Sequence, residues 1–141
     1  MRKFILFTIL YVCYITLVNS EFVCPPGKKR AQSNKEILVN GCGPNVTNFW
    51  TKVSHNIATF LGKNFESCCN KHDTCYGTCG NNKKTCDSEL KFCMKSVCRK
   101  KKFFNKAYCY STSFTFSTFV EKVGSKFFDN SQNSNCICIS N

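Results

Sequence analysis

Histidine is scarce in this chain, with two in 141 residues, His55 and His72. Acidic residues are few as well: eight Asp and Glu stand against twenty Lys and Arg, for a formal charge of +12. Internal repeats and low-complexity stretches are missing, which excludes solenoids and compositionally biased arrays. Cysteine, by contrast, is abundant at thirteen. Two histidines and an export signal argue against zinc as the reason for so much cysteine. Neither histidine sits in a serine-triad motif. No nucleic-acid-binding motif accompanies the positive charge, so nucleic acid is not expected as a partner.

The first twenty residues read as a targeting signal. Arg2 and Lys3 supply a basic start, Phe4–Val18 is almost wholly apolar, and Val18-Asn19-Ser20 offers a small-residue cleavage site. That apolar run is short for a bilayer span, and polar residues follow it directly. The expected organisation is a signal peptide at 1–20 and one domain at 21–141, secreted to the extracellular space. Removing the signal leaves 121 residues, takes the charge from +12 to +10, and takes Cys13 with it, so twelve cysteines remain. An even set at this density is the composition of an export-pathway domain stapled by disulfides. The charge draws the protein to polyanions, anionic membrane faces among them.

Along the domain, residues 21–40 read as a lysine-rich extended arm pinned by Cys24, followed by the glycine-rich turn Asn40–Asn45. Apolar positions at helical intervals from Phe49 to Leu61 suggest a short helix or connector. A helix is expected over Glu66–Thr78, ended by Gly80-Asn81-Asn82, and a second from about Thr85 to Arg99 with Leu90, Met94 and Val97 as its aliphatic content. The tail suggests a further helix around Phe114–Phe127, whose phenylalanines are expected in the core.

The chemistry concentrates in Cys68-Cys69-Asn70-Lys71-His72-Asp73-Thr74-Cys75-Tyr76. On a helix, Cys68, His72 and Cys75 share one face, while Cys69, Asp73 and Tyr76 share the next. Cys86 and Cys93 are seven apart, as Cys68 and Cys75 are. Two antiparallel helices can therefore close Cys75–Cys86 and Cys68–Cys93 in a single register, about two turns apart. That register brings Asp87 to the face carrying His72, where its carboxylate can accept the imidazole N–H and leave the other ring nitrogen as a base.

This segment resembles the active-site helix signature of secreted phospholipases A2, Cys-Cys-x-x-His-Asp-x-Cys-Tyr. Gly41-Cys42-Gly43-Pro44 before it and Cys79-Gly80 with Thr85-Cys86-Asp87 after it are most similar to the group XII branch, over roughly residues 40–100. The resemblance implies a small, mainly α, disulfide-rich fold: two antiparallel disulfide-clipped helices behind an N-terminal calcium-binding loop. It implies His72 as general base, Asp87 as its orienting carboxylate, Tyr76 as hydrogen-bond donor to that carboxylate, and Asp73 as a calcium ligand. Carbonyls of Gly41, Gly43 and Asn45 complete the Ca2+ site, the Gly43 N–H supports the oxyanion, and Cys42–Cys69 joins loop to helix. The implied activity is calcium-dependent hydrolysis of the sn-2 ester of glycerophospholipids by water that His72 activates, with no serine or cysteine nucleophile. Asn45 departs from the glycine of many relatives and opens a glycosylation sequon, Asn45-Val46-Thr47.

His55, with no acidic neighbour, reads as a surface residue. Arg99–Lys102 reads either as a solvated helix end or, with Phe103 and Phe104, as a contact with an anionic phospholipid surface through Lys100, Lys101 and Lys102. A monomer is expected. A second function, from another class, is a phospholipase-like toxin, receptor-binding or membrane-binding module without turnover. A third is a cationic antimicrobial protein acting through charge alone.

Overall fold

Proline occurs only at 25, 26 and 44, so nothing after Pro44 forbids a helix, and helices make up most of the chain beyond it. The computed structural model describes residues 22–42 and 50–140, the side chains of 50–63 excepted. The expected signal segment, the loop residues Gly43, Pro44 and Asn45, and the side chain of His55 lie outside what is described. In chain order the elements are strand β1 (Lys28–Gln32), helices α1 (Trp50–Gly77), α2 (Lys83–Arg99), α3 (Phe103–Val123) and α4 (Ser125–Asn135), and strand β2 (Cys136–Ser140). This is the small, mainly helical, disulfide-rich class expected.

Two expected segments, Phe49–Leu61 and Glu66–Thr78, are one continuous helix of 28 residues. No glycine pair or proline separates them, so the helix has no reason to stop before the turn at Gly80, whose φ of +85° suits glycine. Helix α2 begins earlier than Thr85 because Asn82 caps it. The Asn82 side-chain oxygen accepts the N–H groups of Lys84 and Thr85 at 2.9 and 3.3 Å, two of the orphan donors of a helix start. The tail forms two helices joined at Gly124. Gly124 is buried, and a Cβ there would meet the Tyr76 hydroxyl at 2.8 Å.

The arm does contain an extended stretch, β1, and its partner is the very end of the chain. The strands are antiparallel, Lys28 opposite Ser140 and Gln32 opposite Cys136. Cys24–Cys138 ties the ribbon at one end, and Cys79–Cys136 fastens it to the turn after α1. Helix α2 packs on α1 on one side and on α3 on the other, while α4 lies against α1.

The bridges Cys68–Cys93 and Cys75–Cys86 clip α1 to α2, Cys42–Cys69 holds the N-terminal segment to α1, and Cys98–Cys109 links α2 to α3. All twelve cysteines from Cys24 to Cys138 are paired. Five of the eight residues of the main buried cluster are cysteine, with Phe65, Leu90 and Met94 as the other three. Among the described residues, the six crosslinks add to what this cluster contributes, at ~2–4 kcal/mol each. The tail phenylalanines depart from expectation: Phe128 is buried and Phe116 half-buried, but Phe114, Phe119 and Phe127 are more than half exposed.

Candidate functional site

The two clips fix α1 against α2 so that His72 meets Asp87. The imidazole Nε2 lies 2.9 Å from Asp87 Oδ1. The Tyr76 hydroxyl, one turn further along α1, donates to the same oxygen at 2.7 Å. Lys83, one turn before Asp87 on α2, donates from Nζ to Oδ2 at 2.6 Å and also to the Glu121 carbonyl at 2.9 Å. His72 and Asp87 are 9 % and 6 % exposed, so each needs these partners. Burial alone would raise the Asp87 carboxyl, but the bonds from His72, Lys83 and Tyr76 outweigh it and hold the group below its ordinary value. An ionised carboxylate only accepts. The Nε2 nitrogen therefore carries the proton, and Nδ1 is left as a proton acceptor.

Tyr76 is held protonated: burial, then the bond to Asp87, pushes its phenol far above the ordinary value. Its ring packs on His72 with centroids 4.0 Å apart and meets Phe128 edge-on at 5.1 Å. These contacts fix the imidazole plane from one side while Asp87 fixes it from the other.

Asp73, next to His72 in sequence, turns toward the segment before Cys42. Its Oδ2 accepts the Asn40 N–H at 3.0 Å, and the Gly41 N–H bonds it too. Burial raises this carboxyl in spite of those bonds, which makes it a group that gains from a positive partner. Asn70 Oδ1 is buried without a hydrogen-bond partner, and it lies 4.0 Å from where a Cβ on Gly41 would sit. A carboxylate and an amide oxygen beside a backbone turn are hard oxygen donors, the kind that calcium takes. The described residues thus fit that ion, although among them no three His, Cys, Asp or Glu side chains cluster as a ready metal site. Gly43 and Asn45, expected to supply further carbonyls and the oxyanion N–H, lie outside the described residues, as does the state of the sequon.

Lys100, Lys101 and Lys102 connect α2 to α3, and Phe103 and Phe104 open α3 with 90 % of their surfaces exposed. Lys101 bonds Asn64 Oδ1 at 2.9 Å. Sequence reading missed three contributors to the site. Lys83 stands four residues before Asp87, a helical ion-pair spacing that signals it. Asn70 stands in the motif itself but has no spacing rule of its own. Gln132 carried no signal: it reaches the end of α1 from more than fifty residues away.

A family model described as "Group XII secretory phospholipase A2 precursor" matches residues 18–141. The chain belongs to the group XII secretory phospholipase A2 family. It is 33% identical to group XIIA secretory phospholipase A2 of Mus musculus over 81 residues, 56% of this chain and 38% of that protein. It is 38% identical to the Homo sapiens group XIIA protein over 60 residues, 43% of this chain and 28% of that one. Against the group XIIB secretory phospholipase A2-like protein of Mus musculus it is 40% identical over 77 residues, 50% of this chain and 40% of the relative. The matched stretches thus span well under half the length of these curated relatives. No solved structure matches.

Proposed function

We propose that this chain is a secreted, calcium-dependent hydrolase that cleaves the sn-2 ester of glycerophospholipids at membrane interfaces. The observation that carries this reading is one juxtaposition. His72 is oriented through Nε2 by Asp87 at 2.9 Å, and Asp73, the next residue, faces the Asn40–Gly41 turn. An imidazole with one nitrogen occupied and the other free is a general base.

Bound at Asp73 and the Asn40–Asn45 turn, calcium would supply positive charge for the phosphate and for the ester oxygen. The Asp73 carboxylate and the carbonyls expected from Gly41, Gly43 and Asn45 would hold it. His72 Nδ1 takes the proton of the attacking water. Asp87, already ionised and bonded three ways, stabilises the imidazolium that results and does not take the proton itself. Tyr76 and Lys83 hold Asp87 in place as that charge appears and disappears. Later, His72 returns the proton to the departing alcohol. A thiol nucleophile plays no part, since every cysteine from Cys24 to Cys138 is in a bridge.

Hydrolysis of mixed-chain phospholipid liposomes, with calcium or with chelator, tests this reading when His72→Gln is run beside the natural chain. The expected result is calcium-dependent release of the sn-2 fatty acid that the substitution abolishes. Binding without release, equal in both proteins, replaces the enzyme with a non-catalytic module.

A further inference from the structure

Helix α3 turns five of its large side chains outward, while Tyr110, Phe116 and Val120 pack against the core. Its buried positions, four apart, are Cys109, Ser113 and Ser117, and the Ser113 hydroxyl has no hydrogen-bond partner. Phe116 and Val120 are half-buried beside them. The opposite side carries Phe103, Phe104, Tyr108, Phe114 and Phe119, each at least 59 % exposed. On a helix they spread over the arc away from α2, with Ala107, Ser111 and Thr115 between them. Water-facing helices carry charge there. From Phe103 to Val120 the only charged residue is Lys106. An exposed aromatic surface of this extent marks a contact with something apolar.

Charge identifies the occupant. Arg99–Lys102 precedes the aromatic stretch as an unbroken cationic run, while after it Lys122 and Lys126 alternate with Glu121 and Asp129, so the net positive charge lies at the end that carries Phe103 and Phe104. Lys91 lies over the Phe114 ring and Arg99 over the Phe92 ring, 5.8 and 6.0 Å from the centroids. Aromatic side chains beside snorkelling lysines suit the boundary of an anionic bilayer, where rings enter the acyl edge and ammonium groups stay at the phosphates. A second copy of so basic a chain would oppose like charge to like. With 21 residues the helix is about 31 Å long, but among the described residues no helix is long and apolar enough to cross a membrane. It would lie in the surface plane.

The location sets this face apart from the site. Asp73 and the Asn40–Cys42 segment sit on α1, and α2 lies between α1 and α3. We infer that the outward face of α3 is a docking surface for anionic lipid bilayers, separate from the calcium end of the site and working without calcium. The inference does not depend on the chain being an enzyme.

The test is vesicle sedimentation of the full secreted chain carrying His72→Gln, in chelator, with phosphatidylcholine vesicles with and without phosphatidylserine. Two further variants carry Phe104→Ser, Phe114→Ser and Phe119→Ser together, or Lys102→Glu and Lys106→Glu together. A control replaces Val23 and Leu38, exposed residues outside the helices, by serine. Circular dichroism and disulfide mapping establish that each variant is folded. The expected result is binding to phosphatidylserine vesicles in chelator, unchanged in the control. The aromatic variant should bind at least about tenfold more weakly, each ring having lost several buried carbons, and the lysine variant should lose about fivefold or more per lysine. The inference is overturned by aromatic variants that bind like the control, by binding that needs calcium, or by equal binding to uncharged vesicles. It is also overturned if the natural chain is a dimer in solution that the phenylalanine substitutions dissociate.

Discussion

Asp87 receives three donors: an imidazole, a phenol and an ammonium group. The consequence appears in the pH dependence of stability. A carboxyl held below its ordinary value contributes stability that is complete above the unfolded value and is lost as pH falls through the lower folded one. Lys83→Met removes one of the groups that lower it. The variant is expected to be less stable by ~1.5–3 kcal/mol near neutrality, the range for a hydrogen bond to a charged group. The gap should narrow as pH drops below about 4. Urea unfolding of both proteins across that range checks it, and a gap indifferent to pH contradicts it. At this scale the sequence was most informative. Helix periodicity and equal cysteine spacing bring Asp87 to His72, while the roles of Asp73 and Tyr76 follow from the resemblance to the family signature. Asn70 and Lys83 were not placed, because a side chain that completes another residue's bonding is chosen by tertiary position.

The end of α1 shows how neighbouring elements finish a helix that cannot finish itself. No basic residue lies in its last turn. Gln132, from α4, donates to the Tyr76 and Thr78 carbonyls at 2.7 and 2.9 Å and accepts the Gly80 N–H at 3.1 Å. Gln32, from β1, donates to the Gly77 carbonyl at 3.1 Å and accepts the Cys79 N–H at 2.7 Å. Two amides thus satisfy the C-terminal orphans of the helix that carries the dyad. Gln132 is only 2 % exposed, so no water replaces it easily. Gln132→Ala is expected to cost ~2–3 kcal/mol, because it leaves buried carbonyls unpaired; thermal or urea unfolding measures it. A loss below about half a kcal/mol, the range of an ordinary surface substitution, would refute that role. Elements were legible where an internal pattern defined them, as for α2 with Leu90 and Met94. The β1–β2 ribbon was not, since its two strands come from opposite ends of the domain and neither alternates strongly. Nor was the orientation of α3, whose phenylalanines imitate a core pattern and face outward.

Among the described residues, the main buried cluster is small and six crosslinks run through and around it. Cysteine makes up five of the eight residues of the main buried cluster, and closing loops of 11 to 114 residues removes freedom from the unfolded chain. Full reduction without denaturant is therefore expected to abolish cooperative thermal unfolding and most helical circular dichroism. A reduced chain that kept its helices and a sharp transition would show that packing alone suffices. Those same bridges give α1 and α2 one register, and that register delivers Asp87 to His72. The function proposed here depends on which nitrogen of His72 is left free. Nitrogen-15 NMR of the folded chain, with its two histidine rings labelled, reads this directly. The account predicts a neutral His72 ring that is protonated at Nε2, with that proton protected from solvent, and bare at Nδ1. A ring protonated at Nδ1, or exchanging freely between tautomers, would contradict it.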